Sequence, residues 1–288
     1  MAQITPKTFR IVCGVAFSSL CIIVVSGALV RLTGSGLGCS DWPQCNETKF
    51  VDVSSGHTLI EQANRLFTGF VSASVILAVL MAYLIRPRRK DLILLAWSLV
   101  IGVLAQIVIG GIVVLTGLNP YANMAHFLVS IVLVTCSYAL MRRSAGDAKT
   151  PLLRTVPSKV RSLLLGLFVF AIAAIVTGTV VTATGPHAGD EDAIRFGFEL
   201  TSVARIHSAT ILTTIGLIVF LAWKSVKDAD FFPIREPVQS LLFASVAQAA
   251  IGYTQYFTGV PAALVAVHIV GSLFFFVAVL NILISPQT

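Results

Sequence analysis

The feature that most constrains this chain is a series of eight apolar stretches. A helix needs about 20 apolar residues to cross the hydrocarbon core of a bilayer. Of the 288 residues, 56% are hydrophobic and 11% are charged, so lipid must surround much of the chain. We therefore predict an all-α integral membrane protein with eight transmembrane helices. The stretches lie near residues 11–31, 58–85, 91–115, 121–141, 160–183, 202–223, 238–258 and 262–284.

The basic residues lie on alternate connections between these stretches. A net charge of +7 is compatible with a nucleic-acid partner, but an excess of Lys and Arg on alternate connections instead marks the cytoplasmic side of a membrane protein. We therefore expect a lipid bilayer and no nucleic acid as partner, and two cytoplasmic termini. The residues on these connections are Lys7, Arg10, Arg86, Arg88, Arg89, Lys90, Arg142, Arg143, Lys149, Arg154, Lys159, Arg161, Lys224, Lys227 and Arg235.

The first apolar stretch resembles a secretory signal because Lys7 and Arg10 precede it. Its apolar run is longer than the usual signal core of about 7–15 residues, so we interpret it as a retained helix. No Arg/Ser-rich transit peptide precedes it. We therefore expect a multi-pass protein of a bacterial plasma membrane.

An internal repeat relates the two halves of the chain. Each copy contains four apolar stretches, so both copies begin and end on the same side of the membrane, as in a parallel repeat. We predict two pseudo-symmetric four-helix bundles, residues 1–145 and 161–288, joined by a cytoplasmic linker at 146–160. The repeated positions are Ser26 and Thr177, Gly27 and Gly178, Arg65 and Arg205, Gln106 and Gln248, Gly110 and Gly252, Gly117 and Gly259, and His126 and His268.

Three histidines lie one to two turns inside the outer ends of their helices. Neutral imidazole is a common metal ligand, and His207 and His268 come from two helices of one bundle at similar depth. No cluster of acidic residues or cysteines accompanies them, so the pattern favours axial ligation of haem iron over zinc. His126 is the matching residue of the first half. The alternative for each histidine alone is a buried polar residue that is hydrogen-bonded to a neighbouring helix.

The first half has polar residues of a different kind on its second helix. Glu61, Asn64 and Arg65 share one helix face because their spacing is i, i+3 and i+4. A haem bound by His126 alone would keep an open coordination position beside Glu61, which suits chemistry, whereas a bis-histidine haem suits electron transfer. The alternative for Glu61 and Arg65 is a structural ion pair.

Other residues near the outer ends of the helices are further candidates. Arg65 and Arg205 are expected to bind haem propionates, since guanidinium forms bidentate bonds with carboxylate; the alternative is contact with lipid headgroups. His57 precedes Glu61 by four residues, so it is a candidate for the open haem face. Its alternative is a surface residue.

Two of the five cysteines, Cys39 and Cys45, lie in the first outward loop. An oxidising compartment and the intervening Pro43 favour a disulfide between them. Two free thiols, or a redox pair whose reduction is part of regulation, remain the alternatives. Cys13, Cys21 and Cys136 lie within apolar stretches and are predicted to be small apolar fillers.

The sequence contains, in this order, the run from Arg31 to Cys45, Glu61, Asn64, Arg65, His126, the Gly-Pro-His-Ala-Gly-Asp loop, His207 and His268. Together these features closely resemble the haem A synthase family over nearly the whole chain. The resemblance implies an oxidoreductase that converts a methyl group of haem O to a formyl group, giving haem A for terminal oxidases. It implies haem b as cofactor in the second half and haem O as substrate in the first. Haem O synthase and an external electron donor are the expected partners.

By the same resemblance, His207 and His268 are expected to ligate haem b, His126 to ligate the substrate iron, Glu61 to serve catalysis, and Cys39 and Cys45 to form a disulfide. The sequence departs from the family pattern at position 64, where many members have a further histidine and this chain has Asn64. It also lacks a second cysteine pair in the later outward loop. Either the substrate iron keeps one histidine ligand or another residue, such as His57, replaces the missing one.

Two other classes of protein share part of this pattern. A b-type transmembrane electron-transfer cytochrome would also have paired histidines, but it usually places haems near both membrane faces, whereas the candidates here cluster outward. A parallel-repeat small-molecule transporter would explain the duplication without binding haem. The haem content of the purified protein distinguishes the three classes.

Overall fold

A computed structural model describes residues 4–147 and 149–284 of the chain. Eight long helices fill most of these ranges, and the eight predicted helices are confirmed. A short 3-10 helix, Ala229–Ile234, directly precedes α7. The helices are α1 Pro6–Leu32, α2 Gly56–Leu84, α3 Lys90–Leu115, α4 Pro120–Ser144, α5 Ser158–Thr184, α6 Leu200–Lys227, α7 Arg235–Phe257 and α8 Ala262–Leu283.

Seven of the helices are long and apolar enough to cross a membrane, judged by length and composition over the described residues. The helix outside this set is α7, which has 23 residues and includes the polar side chains of Gln248, Thr254 and Gln255. Of these three side chains Gln248 is buried, and buried polar residues in membrane helices often mark functional positions. The polar character of α7 therefore directs attention to Gln248.

Local sequence sets where several helices begin. The Thr5 hydroxyl accepts from the Thr8 N–H at the start of α1, and Pro6 occupies the first turn. Ser55 and Thr58 form a reciprocal capping box at the start of α2. The Asn119 side chain caps α4. Each cap satisfies backbone donors that a helix start would otherwise leave unpaired.

The chain divides into two compact units. The first contains α1 to α4 together with residues 187–196, and the second contains α5 to α8. In the first unit α1 packs on α2 and α4, and α3 also packs on α2 and α4. In the second unit α5 packs on α6 and α8, and α7 also packs on α6 and α8. The contacts thus give a ring of four helices in each unit, while the pseudo-symmetry of the two halves stays a prediction.

The apolar core of each unit lies in one half of its helices. In the first unit it includes Phe9 and Leu20 early in α1, Leu99 in α3 and Leu140 late in α4. In the second unit it includes Leu167 in α5, Leu221 in α6, Leu241 in α7 and Phe275 in α8. All of these residues lie toward the basic connections 85–89, 145–157 and 228–234. We call the opposite ends of the helices the outer ends and the connections 33–55, 116–119, 185–199 and 258–261 the outer connections.

Two of the outer connections share an unusual turn. Gly117 and Leu118 have φ of 62° and 61°, and Gly259 and Val260 have φ of 82° and 58°. The N–H of Leu118 donates to the Val113 carbonyl at 2.8 Å, and Val260 donates to Gln255 at 2.8 Å. Glycine tolerates positive φ without steric cost, so its presence in both repeats lets α4 and α8 begin with the same geometry.

Candidate functional site

Each of the three predicted histidines lies against a glycine of a neighbouring helix. A Cβ atom on Gly178 would lie 3.1 Å from Cε1 of His207, one on Gly252 2.9 Å from Cε1 of His268, and one on Gly110 3.4 Å from Cε1 of His126. Because glycine has no side chain, the imidazole can pack directly against the backbone of the neighbouring helix. The glycines of α3, α5 and α7 therefore fix where these rings lie.

The two histidines of the second unit are held through their Nδ1 atoms. The Thr177 hydroxyl lies 3.0 Å from His207 Nδ1 and within 2.9 Å of the Ala173 carbonyl, so it can donate to the carbonyl and accept from the ring. Gln248 Nε2 lies 3.0 Å from His268 Nδ1 and donates to the His268 carbonyl at 2.6 Å. Thr177 accepts from His207 Nδ1, which leaves Nε2 of that ring for a ligand. For His268 the partner of Nδ1 is an amide nitrogen, which can only donate, so ligation through Nε2 would require the Gln248 side chain to present its oxygen to Nδ1 instead.

His207 on α6 and His268 on α8 belong to the same unit. His126 lies in the first unit, where Gln106 Nε2 donates to its backbone carbonyl at 3.0 Å. Gln106 also contacts the Ser130 hydroxyl. His126 Nδ1 is buried and has no hydrogen-bond partner among the described residues, so this ring is a ligand candidate with an unsatisfied polar atom.

These residues fit haem. Imidazoles from α6 and α8 of one bundle are the residue types that a bis-histidine haem uses as axial ligands. Within residues 4–147 and 149–284 no group of three or more His, Cys, Asp or Glu could hold a metal ion, which disfavours zinc because zinc usually needs three or four such ligands. The apolar cores occupy the inner halves of the bundles, so the outer halves are the places where side chains can surround a cofactor.

Glu61 is a buried carboxylate on α2 of the first unit, with 5% of its surface exposed. Its Oε1 accepts from Arg65 Nε at 3.0 Å and from Arg65 Nη2 at 2.6 Å. Its Oε2 accepts from the backbone N–H of Cys39 at 2.7 Å. The geometry therefore shows an ion pair between Glu61 and Arg65, which was the predicted alternative. A third donor to the carboxylate, the Cys39 N–H, comes from the outer connection 33–55, which we call the outer loop.

Arg65 is also bound to the outer loop. Its Nη1 donates to the Asp41 and Gln44 carbonyls at 3.3 and 3.2 Å, and its guanidinium lies 5.6 Å from the centre of the Trp42 ring. The indole in turn lies against Gly111 of α3. Every nitrogen of this guanidinium thus has a partner, so the structure gives Arg65 the role of joining α2 to the loop, with no donor left over for a propionate.

The outer loop is closed by a disulfide between Cys39 and Cys45, as predicted. Both cysteines are fully buried. Further along the loop, hydrogen bonds from Ser54 and Lys49 hold the pKa of Asp52 below its usual range. Cys13 is a buried free thiol and Cys21 and Cys136 are partly buried free thiols, consistent with the predicted role of apolar fillers.

Residues 187–196 pack onto this loop as part of the first unit. Arg31 Nε donates to the His187 carbonyl at 2.7 Å, and the Gly36 N–H donates to the Gly189 carbonyl at 2.8 Å. Leu118 joins Ala188 and Ala193 in a small apolar cluster. A segment that follows α5 in the sequence therefore covers the outer end of α1 to α4, a placement that contiguous halves do not predict.

Three predicted residues lie apart from the groups above. Asn64 is half-buried on α2 and its Oδ1 accepts from the Ser26 hydroxyl at 2.7 Å. His57 is exposed at the start of α2, with its Nδ1 3.0 Å from the Ser35 hydroxyl. Arg205 is exposed on α6.

The repeat alignment of Arg65 with Arg205 is not the alignment that the hydrogen bonds give. Ser26 contacts Asn64, and its repeat partner Thr177 contacts His207. Position 64 therefore matches position 207, and Arg65 has no arginine counterpart. Counted from the helix starts, Asn64 is the ninth residue of α2 and His207 the eighth of α6, whereas Arg65 is the tenth and Arg205 the sixth. The hydrogen bonds and the sequence similarity therefore give different alignments.

The residues that sequence reasoning did not assign to the site are the contacts of the histidines: Thr177, Gln106, Gln248 and the three glycines. All of them were visible as repeated positions. Gln106 and Gly110 contact His126, Gln248 and Gly252 contact His268, and Thr177 and Gly178 contact His207, whereas Gly27, Gly117 and Gly259 have no such contact. Residues that repeat in both halves together with a candidate histidine ligand were the sequence signal that could have identified these contacts.

Comparison with known proteins agrees with this geometry. The sequence profile of the COX15-CtaA family, described as cytochrome oxidase assembly proteins, matches residues 10–57 and 50–280. The match extends over most of the chain and includes Glu61, the three histidines and nearly all of the outer loop. This protein belongs to the COX15-CtaA family.

Individual relatives carry the name haem A synthase. The chain is 28% identical to the one from Listeria welshimeri over 270 residues, which cover 86% of this chain and 85% of that protein. It is 28% identical to the one from Exiguobacterium sibiricum over 172 residues, covering 58% of this chain and 57% of the relative. The Geobacillus kaustophilus protein is 36% identical over 126 residues, 42% of this chain and 38% of the relative. For the last two, the chain spans less than two thirds of the relative's length.

Proposed function

We propose that this protein is a haem A synthase, which oxidises a methyl substituent of haem O to a formyl group and so makes haem A for terminal oxidases. One observation carries the proposal: both bundles have histidines near the outer ends of their helices, and among the residues that the structure describes only the first bundle has a buried carboxylate on a helix, Glu61. The name shared by relatives from Listeria welshimeri and Exiguobacterium sibiricum supports it. The function therefore divides between a cofactor half and a substrate half.

The second half is the cofactor half. His207 and His268 would hold haem b from opposite faces through Nε2, with Thr177 and Gln248 fixing the two rings. When bound, haem b supplies one-electron transfer chemistry. Exposed Arg205 lies two residues before His207 on α6, so it is placed at the outer end for a propionate of that haem. A saturated iron site of this kind suits electron transfer.

The first half is the substrate half, where His126 would bind haem O. Conversion of methyl to formyl replaces two hydrogen atoms by one oxygen atom, which is a four-electron oxidation. It proceeds by hydroxylation, a second oxidation to a geminal diol and loss of water to the aldehyde. Apolar helices supply no oxidant, so an external redox partner exchanges the electrons.

Glu61 is the group of the first half that can move protons. Arg65 and the Cys39 N–H hold both of its oxygens in place, so the carboxylate is positioned and not free to rotate. A positioned carboxylate can take a proton from a reacting group and return it to water through the outer mouth. Asn64, one turn further along the same helix, lies on the same face.

The arrangement of the basic connections supports cytoplasmic termini, and we propose a bacterial plasma membrane as the location. Both haem sites would then lie toward the extracytoplasmic side, where the disulfide of the outer loop is stable. The substrate reaches the protein through the bilayer from the enzyme that makes it, haem O synthase. The lipid bilayer therefore surrounds the protein and also delivers haem O to it.

Expression in a bacterial host that makes haem O but no haem A tests the proposal. Membranes that contain the intact protein are expected to yield haem A on extraction and chromatography. The matched control is Gly216→Ala, a change at an open position of α6, which should leave the yield unchanged. Unaltered haem O in the presence of well-expressed protein would refute the synthase and favour a b-type cytochrome.

A further inference from the structure

The first unit contains an asparagine where the second has a histidine ligand. Ser26 and Thr177 are repeat partners on α1 and α5, and the hydroxyl of each contacts one side chain of the next helix, Asn64 at 2.7 Å and His207 at 3.0 Å. Asn64 is the ninth residue of α2 and His207 the eighth of α6. The two side chains therefore occupy corresponding positions that differ by one residue in distance from the helix start.

The chemistry of Asn64 differs from that of a ligand. Its Oδ1 accepts from the Ser26 hydroxyl, so its amide NH2 group is what it presents on the other side. A carboxamide NH2 is a hydrogen-bond donor without a lone pair for iron. The position that supplies a ligand in the second unit therefore supplies a donor in the first.

Space around Asn64 is also open. A Cβ on Gly178 would contact His207, but one on the matching Gly27 would have nothing within 4 Å. A cavity of about 320 Å³ lies between α1 and α2, and Ser26, Asn64, Ile22 and Phe67 are among its lining residues. The room that an imidazole fills in the second unit thus stays available to a small molecule in the first.

The other candidate for this position, His57, is directed elsewhere. It is exposed, and its Nδ1 pairs with the Ser35 hydroxyl of the outer loop. It precedes Asn64 by seven residues on α2, which places it about 10 Å further toward the outer end of that helix. At this position along α2 the His57 ring contacts the outer loop and does not lie at the depth of His126 and Asn64.

We infer that the first half binds its haem through one protein ligand, His126, and keeps the opposite coordination position open, with the Asn64 amide beside it as a hydrogen-bond donor. The inference rests on the proposed function, because it assigns a haem to the first half. An open position admits a small oxygen-containing reactant, and the amide NH2 can hydrogen-bond to it. Asn64, in place of a second histidine, thus leaves the iron of the first half able to react, whereas a second histidine would restrict it to electron transfer.

Spin state reports the number of axial ligands directly. Purified full-length protein that carries haem b in its second half is titrated with ferric protohaem, and its visible and electron paramagnetic resonance spectra are recorded. The second half is expected to give a low-spin bis-histidine signal and the added haem a high-spin signal. Asn64→His should shift the added haem to low spin, because Gly27 leaves room for the ring and Ser26 can accept from Nδ1 as Thr177 does.

Two control variants make the result decisive. His57→Ala should leave the added haem high-spin, and His126→Ala should abolish its uptake while the haem b signal persists. A low-spin added haem in the unaltered protein would overturn the inference, whether or not His57→Ala reversed it, and would leave the synthase proposal intact if haem A is still made. Failure of the first half to take up any haem would overturn the substrate site itself, and the inference with it.

Discussion

The backbone N–H of Cys39 donates a hydrogen bond of 2.7 Å to Oε2 of Glu61, 22 residues further along the chain. The disulfide fixes Cys39 within the outer loop, and Arg65 binds both the loop carbonyls and the carboxylate. The disulfide that closes the loop therefore also helps to hold the buried Glu61 carboxylate in position. Changes at any of these residues are expected to act on the same chemistry.

Replacement of the acid itself gives the first prediction. Glu61→Gln keeps the size of the side chain and its contact with Cys39 but removes the charge that pairs with Arg65. General acid–base groups contribute about 10² to 10⁴ in rate, so we expect haem A output to fall at least about 100-fold. Extracted haems should show haem O or a hydroxylated intermediate, with haem b unchanged. Glu47→Gln, an exposed carboxylate of the same loop, is the control, and normal haem A output from Glu61→Gln would rule out the role.

The disulfide gives the second prediction. Closure of so short a loop stabilises a fold by about 2 kcal/mol in the chain-entropy description. Cys45→Ser should therefore lower the thermal unfolding temperature and reduce haem A output, since the Cys39 N–H loses its fixed position, while haem b binding in the second half persists. Cys21→Ser, which removes a free thiol, should do neither. Equal haem A output from Cys45→Ser and the unaltered protein would separate the loop from catalysis.

The glycine contacts give the third prediction. A methyl group at Gly252 would lie 2.9 Å from Cε1 of His268, closer than carbon atoms approach without displacement. Gly252→Ala is expected to push the ring from its position and to weaken or abolish the low-spin spectrum of haem b. Gly166→Ala on α5, where a Cβ has nothing within 4 Å, should leave the spectrum as it is. An unperturbed spectrum in Gly252→Ala would show that His268 is not an axial ligand.

The two glutamines give the fourth prediction, because each serves one half. Gln248→Leu removes the contact with His268 Nδ1 and should shift the reduction potential of haem b, since hydrogen bonding to an axial ligand tunes the metal. Gln106→Leu removes the contact with the His126 carbonyl and should reduce uptake of the second haem with the haem b potential unchanged. Redox titration of both variants provides the measurement. Equal shifts from the two changes would contradict a division of roles between the halves.

Much of the fold could be predicted because lipid imposes a simple rule. A membrane helix must satisfy its backbone internally and be apolar over about 20 residues, and eight such stretches are readable without any tertiary information. The starts of the helices follow from local caps such as Ser55 and Asn119. The polar α7 shows where the rule weakens, since a helix that carries site residues such as Gln248 is less apolar than one that faces lipid.

The site was predictable in its residue types and less so in its contacts. His207 and His268 are candidates because of their residue type and depth, and His268 also because it repeats His126. The pairing of Asn64 with His207 was not predicted, because it depends on the tertiary contacts that Ser26 and Thr177 make with these two side chains. The cover that residues 187–196 give the first unit also depends on contacts between distant parts of the chain, such as that of Arg31 with His187, which no local pattern encodes.

The haem content of the purified protein tests the central claim most directly. Detergent-solubilised, folded protein from a haem-competent host is expected to show the visible spectrum of a low-spin bis-histidine haem b, and acid extraction should release haem b together with haem O or haem A. His207→Ala should lose the haem b spectrum. Protein that folds yet stays colourless after haem is supplied would contradict the account.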